Sequence, residues 1–163
     1  GDELVIAQQE GKLQRNFQGY STHGDCDLLA FGVSAISAID NVYMQNAKNI
    51  NDYQAKLDEG VLPYIKGFTL NKEDELRKFI INQLICHFEL SFNSVNEKFS
   101  IDMENYFSAE LQKLTPMIED GLISVDAQGI HVHNAGRMLI RRICMVFDEY
   151  LNNTTQIRYS KII

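Results

Sequence analysis

Four groups of side chains in this sequence are of the types that do chemistry. His131 and His133 stand two apart, so on a strand both rings leave the same face. Such a pair can supply two nitrogens to a zinc site. No third ligand is spaced nearby to join them, and two solvent-facing histidines on a hairpin is the preferred reading. Arg137, Arg141 and Arg142 form a basic cluster, with Arg137 and Arg141 four apart on one expected helix face. The cluster could touch nucleic acid, pair at the surface with Asp148 or Glu149, or bind carboxylates of a substrate or a neighbouring domain. His23, Asp25, Cys26 and Asp27 crowd one small-residue loop. One loop justifies no Cys–His–Asn or Ser–His–Asp framework, because such partners are set in three dimensions. It is read as a polar loop. Gly19 and Gly24 make no phosphate-binding pattern. The three cysteines, Cys26, Cys86 and Cys144, are too far apart for a metal knuckle, and an odd count suits a disulfide framework poorly. They read as reduced thiols of a cytosolic protein. Cys86 and Cys144 fall on apolar helix faces, where cysteine acts as a small hydrophobe.

The elements that must position these groups follow from periodicity and punctuation. Residues 3–10 read as the end of a helix stopped by Gly11. Residues 13–20 read as a short strand or extended segment. From Asp27 to Ile36 runs a nearly continuous apolar stretch bounded by turn residues, which fits a strand buried on both faces of a parallel sheet; a short helix over 28–31 leading into it is the alternative. So few elements cannot cover such a strand, which implies partner strands upstream. Asn49–Leu57 is a candidate short helix, and Gly60, Pro63 and Gly67 break the chain into a connector. Asn71 is a good N-cap, with Glu73, Asp74 and Glu75 in the first turn, where negative charge suits the helix dipole. Leu76, Ile80, Leu84 and Phe88 then recur at spacing four as one apolar face. A second helix is expected over about 104–114, and Pro116 either kinks it or opens a new turn capped by Thr115. The segments 122–125 and 130–133 flank a turn and read as a hairpin. Asn134 is read as the cap of a last helix carrying Leu139, Ile140, Ile143, Phe147 and Tyr150 on its face. Helices, hairpin and helix in that order are winged-helix-like.

Composition bounds the rest. A chain of 163 residues with 45% hydrophobic content fits one soluble domain with a real core. No apolar run approaches a membrane span, and the start shows no signal peptide. The first residue is not Met, which suggests a chain cut from something longer. The net charge of −7 argues against nucleic acid as the main partner. A recognition helix would also precede the wing, whereas the arginine cluster follows it. A free-standing winged-helix-like interaction module is kept as the alternative reading.

The string Arg15-Asn16-Phe17-Gln18-Gly19-Tyr20-Ser21-Thr22, then Gly24-Asp25 and Asp27-Leu28-Leu29, then Gly32-Val33-Ser34-Ala35-Ile36-Ser37, resembles the last barrel segment of the bacterial oxygen-independent coproporphyrinogen III oxidases, radical S-adenosylmethionine enzymes of haem synthesis. The similarity continues through Leu84-Ile85-Cys86, Asp120-Gly121-Leu122, Gly136-Arg137, Leu139-Ile140-Arg141 and Ile143-Cys144-Met145 to the closing Tyr159-Ser160-Lys161-Ile162-Ile163.

The resemblance implies an α+β, mostly helical fold. Residues 1–45 would be the remnant of a partial (β/α) barrel, 46–70 a connector, 71–155 a winged-helix-like domain with one hairpin, and 156–163 a tail. It implies that the whole enzyme binds a [4Fe–4S] cluster and S-adenosylmethionine, and that it oxidatively decarboxylates two propionates of coproporphyrinogen III. Ile36 is expected to contact S-adenosylmethionine, with Phe17 and Gln18 close to the active site. Arg137 and Arg141 are candidates for substrate propionates. The three-cysteine cluster loop of that family is absent from this sequence. This chain alone is therefore expected to be inactive and to need the missing barrel. It is expected in the cytoplasm, as a monomer, with no nucleic-acid or membrane partner.

Overall fold

The computed structural model describes residues 1–24 and 26–152. Asp25 and the tail over 156–163 lie outside the described residues. The chain opens with helix α1 (Glu3–Gln9), capped by Asp2 and stopped where Gly11 takes a positive φ of 70°. A hairpin follows: β1 (Gln14–Asn16) pairs with β2 (Gly19–Ser21), with Phe17 and Gln18 at its tip. The sequence reads 13–20 as one extended segment, because Phe-Gln lacks the Asn-Gly signature of a two-residue turn. Gly19, at φ 132°, supplies the backbone freedom instead.

The parallel strand expected over 27–36 is corrected. Strand β3 (Ile36–Ile39) starts where that strand was expected to end. It turns through Asp40 and Asn41 into β4 (Val42–Asn46), which pairs in turn with β5 (Tyr64–Thr69). All pairings are antiparallel, in the order β3-β4-β5. Leu28 makes one bridge to Ala38, and the rest of 28–35 is a loop. Side chains fasten that loop. The Ala30 N–H donates to Ser37 Oγ at 3.0 Å, the Gly32 N–H to the Tyr53 hydroxyl at 3.1 Å, and buried Asn46 donates to the Ala30 and Gly32 carbonyls. Gly32 sits at φ 99°, which an L side chain rarely adopts, so the kink requires glycine. Apolar content mimicked a strand because these hydrophobes are not satisfied internally: Leu29 is 59% and Phe31 86% exposed. The expected connector over 46–70 holds helix α2 (Ile50–Asp58) as well as β5, so the sheet crosses it.

Helix α3 (Lys72–His87) is as expected. The Asn71 side chain accepts from the Asp74 N–H, and Asp74 accepts from the Asn71 N–H, each at 2.9 Å. Leu76, Ile80 and Leu84 are buried, and Phe88 closes the helix in the left-handed region. Then come β6 (Glu89–Ser91), α4 (Phe92–Phe99), α5 (Met103–Tyr106), α6 (Ser108–Lys113) and α7 (Thr115–Glu119). The single helix expected over 104–114 is broken at Phe107, whose buried ring lies 5.8 Å from that of Phe147. Pro116 opens α7. The hairpin β7 (Ile123–Asp126) and β8 (Gly129–Val132) forms as read, and β6 joins it in the order β6-β8-β7.

The last expected helix is three pieces: α8 (Asn134–Arg137), α9 (Ile140–Cys144) and α10 (Glu149–Asn152), with a 3₁₀ turn over Met145–Phe147. Asn134 lies inside α8, and His133 is the cap position without a side-chain bond. The breaks re-aim the chain so that Ile143, Cys144 and Phe147 are all buried, while Leu139 and Tyr150 stay exposed. The main core, from Leu76 to Phe147, belongs to this second half. In residues 1–70 the buried apolar side chains are Ala7, Leu13, Ala47 and Leu70, with Pro63 beside them.

Candidate functional site

Phe17 and Ile36 are far apart in sequence, and the fold lines one groove of about 190 Å³ with both. Hairpin β1–β2 projects Phe17 from its tip, and Ile36 opens β3. Tyr43 and Gln45 on β4 and Lys66 and Phe68 on β5 complete the walls. Register explains the grouping: Ile36 faces Gln45 and Ala38 faces Tyr43, and alternate residues share a face. Phe17 packs edge-on against Tyr43 with ring centroids 5.2 Å apart. Gln18, exposed at the hairpin tip, is not among the groove residues; its N–H donates to Asn16 Oδ1 at 2.9 Å.

Beyond the Phe17–Tyr43 pair lies a larger cleft of about 580 Å³ between the hairpin, β3–β4 and α3. Asn82 on α3 ties the hairpin down, accepting from the Arg15 N–H at 3.2 Å and donating to Gln14 Oε1. Leu28, Ile81 and Ile85 give the cleft an apolar floor, and Arg15, Lys78, His23 and Asp148 give it charge and polarity. Sequence reasoning singled out neither Arg15 as a cation in a cleft nor Lys78. The signal available was weak: each is held beside a tyrosine, which only the fold reveals.

The other sequence candidates go elsewhere. Arg137 lies over the Phe88 ring at 4.7 Å, and Arg141 is exposed on α9. The break between α8 and α9 means that their four-residue spacing is not one helix face. Arg142, with Leu139 and Ile143, lines a separate cavity of about 280 Å³ against α7. His131 stands between Glu89 at 3.6 Å and Asp126 at 3.8 Å. His133 falls beyond the end of β8, its ring nitrogens near the Gly121 carbonyl and Ser124 Oγ. Among the described residues no three His, Cys, Asp or Glu side chains are grouped to hold a metal ion. Burial pushes the Cys86 thiol up to about 11; burial, with Cys86 adding to it, pushes Cys144 up to about 12. Cys26 is exposed at the cleft. No helix among the described residues is long and apolar enough to cross a membrane.

Residues 70–139 match the model of the HemN C-terminal domain family. Over nearly all of its length the chain is similar to proteins named oxygen-independent coproporphyrinogen III oxidase, the family that its sequence resembles. The relative of that name from Pseudomonas aeruginosa is 50% identical over 162 residues, which are 99% of this chain and 35% of the relative. That from Salmonella typhimurium is 46% identical over 163 residues, 99% of this chain and 36% of the relative. The solved structure of coproporphyrinogen III oxidase (HemN) from Escherichia coli, described as a radical SAM enzyme, matches with a TM-score of 0.87 at 46% identity. That match covers 91% of this chain and 34% of the other. The chain thus spans about a third of the length of these relatives.

Proposed function

We propose that this chain is the C-terminal portion of a coproporphyrinogen III oxidase. In the whole enzyme it would wall the sites for S-adenosylmethionine and substrate rather than generate the radical. The observation that carries the reading is the groove shared by Phe17 and Ile36, in a chain similar over 99% of its length to enzymes of that name. The groove would take the nucleoside end of S-adenosylmethionine. Phe17, Tyr43, Phe68 and Ile36 offer flat or apolar contact, and Gln45 and Lys66 offer polar atoms at the margin. Bound S-adenosylmethionine would supply the hydrogen-abstracting power for oxidative decarboxylation of coproporphyrinogen III to protoporphyrinogen IX. Ile36 and Phe17 would orient the nucleoside, and Gln18, at the hairpin tip, would stand close to it. Arg137 and Arg141, on the last helices, would meet propionates or the rest of the enzyme.

A [4Fe–4S] cluster does not fit the described residues. It needs converging thiolates, whereas Cys86 and Cys144 are buried and keep their protons, and Cys26 is exposed. In this reading the cluster is held by another part of a cytoplasmic, monomeric enzyme. Residues 1–70, through β5, would be the end of its barrel, and 71–155 a winged-helix-like domain. The sheet order β6-β8-β7 with preceding helices supports that description. A nucleic-acid role for the wing is disfavoured, because α5–α7 and the turn after them carry Glu104, Glu110, Glu119 and Asp120 against Lys113.

The test is a chimera in which this chain replaces the matching segment of the Escherichia coli enzyme. Turnover of coproporphyrinogen III with S-adenosylmethionine and a reductant under anaerobic conditions is expected. This chain alone should give none. Ile36→Asp in the chimera should raise KM for S-adenosylmethionine. A folded, iron-loaded chimera without turnover would sink the reading.

A further inference from the structure

Among the described residues, Arg77 and Lys12 are the cations with a carboxylate within ion-pair distance. Arg77 is held by Glu73, Glu110 and Glu149, and Lys12 by Glu10. Of the cations left without one, Arg15 and Lys78 are the two that share the larger cleft. Among the described residues neither has a carboxylate within ion-pair distance, and both line the 580 Å³ cleft. Each is instead placed over an aromatic ring: Arg15 5.3 Å from the centroid of Tyr20, Lys78 5.0 Å from that of Tyr43. Such stacking positions a cation while leaving its hydrogen-bond donors open. Among the described residues the acid lining the cleft is Asp148, which accepts with Oδ1 from the Tyr150 and Leu151 N–H groups at the head of α10.

We propose that Arg15 and Lys78 receive carboxylates of an anionic, ring-shaped ligand in this cleft. The ligand's apolar ring would lie on Leu28, Ile81 and Ile85. The Phe17–Tyr43 pair is common to the cleft and to the Ile36 groove, so a ligand here abuts the nucleoside groove across one aromatic wall. The identity of the ligand as a coproporphyrin-type tetracarboxylate rests on the function proposed above; the placement of its anionic groups rests on the two cations. Arg15 and Lys78 thereby become substrate-binding residues, on the β1–β2 hairpin and α3 rather than on the last helices that carry Arg137 and Arg141.

The experiment uses the 163-residue chain and coproporphyrin III, the stable oxidised form of the substrate, followed by porphyrin fluorescence. The parent is expected to bind. Arg15→Gln/Lys78→Gln should weaken binding by about tenfold or more, the scale of a charge-assisted hydrogen bond. Mesoporphyrin IX, with the same ring and fewer carboxylates, should bind the parent less well, and that preference should shrink in the variant. Bound coproporphyrin III should also slow alkylation of exposed Cys26, a readout that needs no substitution. If the double variant does not fold by circular dichroism, Lys78→Gln alone, on an exposed side chain, carries the comparison. Equal affinity in parent and variant, or unaltered Cys26 labelling, would overturn the cleft assignment and leave the family reading standing. Loss in Arg137→Ala/Arg141→Ala without loss in the cleft variant would do the same. A parent that retains no porphyrin overturns the substrate class as well.

Discussion

Cys86 and Cys144 are buried thiols with pKa values raised to about 11 and about 12 from an ordinary 9.0, whereas Cys26 is exposed. Their folded-state pKa values lie above the unfolded ones, so the folded protein binds those protons more tightly. The stability this contributes is complete below pH 9 and is lost as pH rises through 11 and 12. Native alkylation at neutral pH should label Cys26 and spare the other two. The melting temperature should fall from pH 9 to 11, and fall less steeply in Cys86→Ala/Cys144→Ala; an equal slope would refute the linkage. At this scale the sequence was legible in part. Burial of Cys86 and Cys144 followed from their place on apolar helix faces. The pairing of Phe17 with Ile36 did not follow from spacing, because it depends on a hairpin whose turn lacks the usual signature. Arg15 and Lys78 stayed hidden because a cation without a partner looks like any other until its neighbours are known.

Close approach between elements fixes how α8 sits on the hairpin. A Cβ at Gly136 would stand 2.2 Å from the Leu122 carbonyl oxygen, a backbone atom that cannot swing away. Gly136→Ala should therefore cost about 3 kcal/mol in denaturant unfolding, the upper part of the range for overpacking. Arg77 joins more elements still. Its guanidinium reaches Glu73 at 2.6 Å on α3, Glu110 at 3.2 Å on α6 and the Phe147 carbonyl at 3.0 Å. Glu110 is only 14% exposed, so Arg77→Met strands a largely buried carboxylate, and a loss of about 3 kcal/mol is expected. Arg77→Met/Glu110→Gln should recover much of it; a double variant as unstable as the single one would contradict the pairing. Helix α3, helix α2 and the hairpin β7–β8 were legible because caps, periodicity and turn residues agree there. The splitting of 104–114 at Phe107 and of 134–152 into pieces was not. Those breaks answer to where Phe107, Ile143 and Phe147 must go, and tertiary packing overrides local pattern.

Across the molecule, burial is uneven. The second half holds the core, while residues 1–70 keep Leu29, Phe31 and Phe17 at the surface. A dye such as ANS should bind the native chain, and Phe31→Ser/Leu29→Ser should reduce that signal without lowering the melting temperature. An undiminished dye signal in the double variant would mean that these side chains are not the exposed patch. The sequence anticipated bare hydrophobes here but assigned them to a parallel strand, since an apolar run reads alike whether its cover is sheet or solvent-facing loop.

The pairing of β6 with the β7–β8 hairpin carries a kinetic consequence. Sheets β1–β2 and β3–β4–β5 join near neighbours in the chain, whereas β6 meets β8 only after α4 to α7 have been laid between them. Closing that long loop costs entropy before any contact repays it. The β6 ladder should therefore form late in folding. Leu90, buried at its centre, should on truncation to alanine speed unfolding far more than it slows refolding in a chevron measurement. The third strand of the sheet would then act as the latch that sets the lifetime of the native state.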